Sequence, residues 1–285
     1  CLMALALCLT LLPTAALAAE DGHAHCLCGK TQHFDIGDHK ESTETIFAKW
    51  LSSDSSKKLR VGEPTSPYGD PADPDTDADG WFLPEGTYYL KGEDDSPNQV
   101  TIDKPIVIRK NVTICLNGKT LQSTAENKPV FWIMGGELTL TNCQGTGKVT
   151  RASYGNGSGS GVKVENGGIF NMYGGTITGN SASYGGGVLV ESGSTFNMYD
   201  GAITDNTAMD NNKGYGGGGV CVKGGIFNMH GGTIAANQAD SYTAGKGYGG
   251  GVSVVSGGRF TMNGGTIGGT SATSDYNQAK GNGGG

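Results

Sequence analysis

Two short stretches carry residues whose types and spacing suit metal chemistry. His23-Ala24-His25-Cys26-Leu27-Cys28 is followed by His33 and His39, so four of the chain's five histidines stand close together. Imidazole and thiolate at such spacing can close a tetrahedral zinc site. A Cys-x-Cys pair is tighter than the usual pair with two residues between. Zinc at His23, His25, Cys26 and Cys28 therefore competes with a disulfide to another cysteine, reactive thiols, or a leader without a chemical role. Further on, Asp75-Thr76-Asp77-Ala78-Asp79-Gly80 sets three carboxylates at alternate positions before a glycine. That is how a calcium loop opens. The twelfth position, where a bidentate Glu belongs, is Gly86, and Glu85 falls one short. Calcium at Asp75, Asp77 and Asp79 is weighed against an acidic, solvated loop.

Catalysis needs unlike groups converging on one point. The residues that alternate with apolar positions downstream are expected to face outward and to form columns instead. One runs Lys163, Leu189, Cys221, Ser253; a second Asn171, Asn197, Asn228, Thr261; a third Tyr173, Tyr199, His230, Asn263. None concentrates the paired acids that glycoside hydrolysis requires. Glu165 and Glu191, with Lys223 one repeat on, read as a solvated charge group. Cys115 and Cys143 lie near the same corner of neighbouring repeats, about two residues out of register, and are a disulfide candidate.

These residues are positioned by a repeat. Val162 opens Val-Lys-Val-Glu-Asn-Gly-Gly-Ile-Phe-Asn-Met-Tyr-Gly-Gly-Thr-Ile-Thr-Gly-Asn, and Val188, Val220 and Val252 open related units. Such a period marks stacked supersecondary units. Within a unit, apolar residues alternate with polar ones (Val162 and Val164, Phe170 and Met172), which is strand periodicity. Glycine pairs close each run, as at Gly167-Gly168 and Gly174-Gly175, and a third run surrounds Ile177. Three short strands separated by corners make one solenoid turn. Each strand then pairs with its copy in the next turn, which gives parallel sheets. Inward columns are expected at Val162, Val188, Val220 and Val252, and at Phe170, Phe196, Phe227 and Phe260. One turn buries too little apolar surface to fold alone, so neighbours must stabilise it. Asn180, Asn206 and Asn237, with Thr270 fourth, suggest a structural amide ladder. Tyr184, Tyr215 and Tyr248 each precede a glycine run, where packing over a corner is favoured over stacking on sugars.

The pattern resembles the right-handed parallel β-helix of the pectin-lyase-like superfamily. It is more closely similar to the glycine-rich repeats of secreted bacterial β-helix proteins, Gly-Gly-Gly-Val-x-Val followed by Phe-x-Met-x-Gly-Gly-x-Ile-x-x-Asn. Residues 185–206 match that pattern except at Asp200. Polymorphic outer-membrane protein repeats are a looser likeness: Gly186-Gly187-Val188 answers their Gly-Gly-Ala-Ile, but Tyr173 and Tyr199 stand where the Asn of their Phe-x-x-Asn would be. The right hand follows from this resemblance and from the general rule for parallel crossovers. No position matches the catalytic motifs of the pectin-lyase-like enzymes.

Residues 1–18 read as a signal peptide cut short at its start, ending Ala16-Leu17-Ala18. Residues 19–45 form a His/Cys-rich leader and 46–80 a linker or capping segment. Residues 81–285 form the β-helix, with irregular first coils and further coils expected after Gly285. The expected fold is thus all-β, a right-handed parallel solenoid behind a signal peptide and a small irregular segment. The mature chain has no stretch apolar and long enough to span a membrane. A net charge of −7 points away from nucleic acid. Between the ladder position and the glycine run, Ser181–Ser183, Thr207–Gly214, Gln238–Gly247 and Ser271–Gly281 lengthen from 3 to 8, 10 and 11 residues. Insertions in repeat proteins gather on one face, often the binding face. Asp210, Asp240, Tyr242, Asp275 and Tyr276 are the candidate binding residues there. The expectation is a secreted or cell-surface, adhesin-like scaffold that binds a glycan or host-surface ligand without catalysis. A polysaccharide lyase or hydrolase and a passive stalk are the alternatives.

Overall fold

A computed structural model describes residues 80–83, 85–90, 98–152, 159–210, 216–241, 249–269 and 276–279. The zinc candidates His23, His25, Cys26 and Cys28, the calcium candidates Asp75, Asp77 and Asp79, and residues 1–18, read above as a signal peptide, lie outside these residues. The described residues are all-β. Their strands stack in parallel sheets, consistent with a parallel β-helix.

Alternation and glycine corners produce short strands, and each pairs with its copy one coil away. The first sheet stacks seven described strands from Trp81–Phe82 to Val252–Val255. The second runs from Gly86–Tyr89 to Arg259–Met262, and the third from Gln99–Ile102 to Thr266–Ile267. The chain visits them in turn, coil after coil, and every pairing is parallel. The expected register holds: Val162 pairs with Val188, Val188 with Val220 and Val220 with Val252. Upstream, Val112 pairs with Leu138, so the irregular first coils share the register.

The core is a set of columns. Phe170, Phe196, Phe227 and Phe260 stack with centroids 4.9, 4.6 and 4.9 Å apart, the spacing of neighbouring strands. Each such ring pair adds about 0.5–1.5 kcal/mol beyond the burial of its surface. Val162, Val188 and Val220 are fully buried, whereas Val252, Phe260 and Ile267 in the last coil are only partly covered.

Corners and crossings explain the glycines. At Gly201 the backbone has φ 97°, and a Cβ there would stand 2.7 Å from the Gly175 carbonyl oxygen. Its neighbour Asp200 replaces the first glycine of the pair. Only the second member of each pair, Gly175, Gly201, Gly232 and Gly265, has positive φ, which is why Asp is tolerated at 200. Gly187 is different: a Cβ would meet the Gly219 carbonyl oxygen at 2.6 Å and Ile203 Cγ2 at 2.7 Å. Close approach between coils therefore demands glycine at 187.

Three expectations are corrected. The insertions are not wholly loops: Ser181–Ala182, Thr207–Asp210, Gln238–Ser241 and Gln278–Ala279 form a fourth parallel sheet. Ala182, Ala208 and Ala239 are buried, so small residues let this sheet close against the coil. The fourth amide of the inner ladder is Asn277, not Thr270; the insertion precedes the ladder position in the last coil instead of following it. The column Lys163, Leu189, Cys221, Ser253 keeps its register, but Leu189, Cys221 and Ser253 are buried rather than solvent-facing. The glycine runs fold back onto these strands. A Cβ at Gly185 would stand 2.3 Å from the Val188 carbonyl oxygen, and one at Gly217 2.4 Å from that of Val220.

Candidate functional site

Two amide ladders run along the stack, and they differ in environment. The inner one is fully buried through Asn237. Asn180 Nδ2 donates to Asn206 Oδ1, Asn206 Nδ2 to Asn237 Oδ1 and Asn237 Nδ2 to Asn277 Oδ1, each at 3.0 Å. Each Oδ1 also accepts the backbone N–H of the preceding ladder residue, so the side chain satisfies a buried corner. Its role is structural.

The outer ladder lies on the exposed face of the second sheet and runs the other way. Asn228 Nδ2 donates to Asn197 Oδ1 and Asn197 Nδ2 to Asn171 Oδ1, both at 2.9 Å. Asn171 Nδ2 then donates to Glu137 Oε1 at 2.7 Å. A carboxylate therefore terminates a chain of aligned amides, a strong acceptor where the dipoles point. Beside it, Tyr173 stacks on Tyr199 at 4.4 Å and Tyr199 on His230 at 4.9 Å, with the rings nearly parallel. Tyr199 is thereby covered on both faces, so it offers a ligand only its ring edge.

At the first coils this face opens into a groove of about 280 Å³ lined by Glu85, Gly86, Asn111, Val112, Thr113, Glu137 and Thr139. The register explains the gathering. Asn111 pairs with Glu137 and Thr113 with Thr139, so each pair shares one side of the sheet. The groove continues directly into the amide ladder, because Glu137 belongs to both. Its lining offers two carboxylates, two hydroxyls and an amide, the donors and acceptors that suit a polyhydroxylated ligand.

These groove residues were not among the candidates read from sequence. Glu85 stood out only as a misplaced calcium ligand. The 26-residue spacing of Val112 and Leu138 was the usable signal, since it also aligns Asn111 with Glu137.

Of the loop candidates, Asp210, Asp240 and Tyr276 fall among the described residues. Tyr242 and Asp275 lie outside the described residues. In the fourth sheet Asp240 pairs with Met209 and Asp210 with Ser241, so the two acids are not opposite one another. Asp240 Oδ1 accepts from Gln238 Nε2 at 2.6 Å. Tyr276 is largely exposed, just before Gln278–Ala279. Glu165 and Glu191 are each paired: Lys163 Nζ is 2.8 Å from Glu165, and Lys223 Nζ is 3.1 Å from Glu191. Trp132 Nε1 also donates to Glu165, and Lys128 and Lys163 flank its ring at 5.0 and 5.2 Å.

Cys115 and Cys143 do meet. Their Sγ atoms are 2.8 Å apart despite the two-residue offset from register. Arg151 is a buried cation held by carbonyls: its guanidinium donates to Ala125, Gly159 and Ser181 oxygens at 2.6, 2.8 and 3.4 Å. Burial lowers its pKa. It spans successive coils where the fourth sheet begins, a clamp rather than a ligand site.

Among the described residues no three His, Cys, Asp or Glu side chains converge as a metal site would require, and no helix is long and apolar enough to cross a membrane. The chain matches no protein-family model, no curated protein and no solved structure.

Proposed function

We propose that this is a secreted or cell-surface protein whose parallel β-helix, right-handed and of the pectin-lyase-like kind, serves as an adhesin-like scaffold. It binds a glycan or host-surface ligand and does not cleave it. The observation that carries this reading is the groove that leads into a polar ladder on the second sheet. A polysaccharide is an extended array of hydroxyls. Carboxylates, hydroxyls and amides repeating every ~4.8 Å along a rigid face can meet such an array without moving. Residues 211–215 and 242–247 belong to the same proposal, since recognition on rigid scaffolds usually sits in inserted segments. Secretion rests on the signal-peptide pattern of residues 1–18.

A polysaccharide-active enzyme is the second reading, favoured by Glu85 and Glu137 lining one groove. Binding without turnover fits better, because one oxygen of Glu137 is already engaged by Asn171.

The experiment is a glycan and glycoprotein array probed with the parent chain, with Thr139→Arg in the groove, and with a variant lacking residues 211–215 and 242–247. The deletions spare the strands Thr207–Asp210 and Gln238–Ser241. Binding by the parent that either variant loses, with no reducing or unsaturated ends released from bound polysaccharide, is the expected result. Product release that Glu137→Gln abolishes would establish the enzyme instead. A parent that binds nothing would leave a passive stalk.

A further inference from the structure

We propose that Cys115 and Cys143 are a site of oxidation, forming a disulfide that staples the second described coil to the third. Cys115 ends the strand Asn111–Cys115, and its register partner is Thr141. Cys143 lies two residues beyond that partner, where the chain turns the corner. The corner is held in place from both sides. Leu116 N–H donates to the Thr141 oxygen at 2.9 Å, Gly118 N–H to Asn142 Oδ1 at 2.8 Å and Asn142 Nδ2 to the Gly145 oxygen at 3.1 Å. The backbone thus brings the two sulfurs to 2.8 Å. A disulfide needs them at about 2.05 Å, a change within reach of side-chain rotation.

Burial sets the order of events. Cys115 is fully buried, while Cys143 is partly exposed, so an external reagent reaches Cys143 first. The oxidant is a low-molecular-weight disulfide of an oxidising compartment. The Cys143 thiol gives its proton to water, and the thiolate attacks one sulfur of the reagent. A mixed disulfide forms and one small thiolate leaves. Cys115 then loses its proton and attacks Cys143 Sγ, expelling the second small thiolate. Two protein thiols and one small disulfide become one protein disulfide and two small thiols, so atoms and electrons balance. Cys221 is buried in the first sheet and takes no part.

The test is cysteine mapping of the full chain after incubation with oxidised glutathione, by alkylation, proteolysis and mass spectrometry. The peptides holding Cys115 and Cys143 are expected joined to each other and separable by reductant, with Cys221 unlinked. Both cysteines alkylated after oxidation, or either joined to Cys26 or Cys28, would overturn the proposal. The order is tested by variants: Cys115→Ser should trap glutathione on Cys143, and Cys143→Ser should leave Cys115 unmodified. Glutathione on Cys115 in Cys143→Ser, in a sample whose circular dichroism matches the parent, would refute the assigned order.

Discussion

Asn197 and Asn206 are the same residue type in the same coil, one in each ladder, and their truncation to Ala should differ sharply. Asn206 is fully buried. Its Oδ1 accepts from the Asn180 backbone N–H at 3.1 Å and from Asn180 Nδ2 at 3.0 Å; its Nδ2 donates to the Ile177 oxygen at 2.9 Å and to Asn237 Oδ1 at 3.0 Å. Some of these groups keep other partners: Asn180 Nδ2 still reaches the Val149 and Thr178 oxygens, and Asn237 Oδ1 still accepts the Asn206 N–H. The Asn180 N–H does not. An orphaned buried donor costs about 1–3 kcal/mol, and the void left by the amide adds to it. The expected loss for Asn206→Ala is therefore about 2–4 kcal/mol. Asn197 also bonds on both sides, but it is only partly buried and water can replace its partners. Asn197→Ala should cost under about 1 kcal/mol. Urea unfolding gives the comparison, with amide hydrogen exchange in residues 176–206 as a local readout, because stacked repeats can open in parts. Equal losses for the two variants, or a loss below about 1 kcal/mol for Asn206→Ala, would refute the division into a structural and a surface ladder.

Two further predictions follow from the glycines and the leader. Gly193 has positive φ and open space around it, so Gly193→Asn should cost at most about 1 kcal/mol, whereas Gly187→Ala forces a Cβ against the Gly219 and Ile203 atoms of adjoining strands and should lower the unfolding midpoint far more. If His23, His25, Cys26 and Cys28 hold zinc, the chain from Ala19 should carry about one zinc lost to chelator and the chain from Trp81 none; equal metal content would remove the site.

Much of the fold was legible in the sequence because a repeat exposes its own register. Val162, Val188, Val220 and Val252, and the four phenylalanines from Phe170, announce columns that single-strand periodicity alone would not pair. The fourth sheet was not legible. Thr207–Asp210 and Gln238–Ser241 are short, begin and end on polar residues and are set between a ladder residue and a glycine run, which reads as loop, and only pairing with their copies makes them strands. Asn277 was missed for a related reason: in the last coil the insertion precedes the ladder residue, and counting along the chain lands on Thr270. The burial of Leu189 and Cys221 depends on glycine runs folding back, a tertiary event with no local signature. The groove was hidden by dilution. Glu85, Asn111 and Glu137 lie in three irregular coils, and no segment of chain holds more than a fragment of it.

The inward columns, the two amide ladders and the groove all depend on parallel, in-register stacking, and one distance tests it. Asn111, Glu137, Ile169, Thr195, Ile226 and Arg259 occupy one register column of the second sheet. Five strand spacings of ~4.8 Å place the Cα atoms of Asn111 and Arg259 about 24 Å apart. Spin labels on cysteines at these two positions, in a chain whose other cysteines are serine, report that distance by pulsed dipolar spectroscopy. Stacked coils predict one narrow distribution centred near about 24 Å, within the reach of the label linkers. A broad distribution, or a mean far outside that reach, would contradict the stacking.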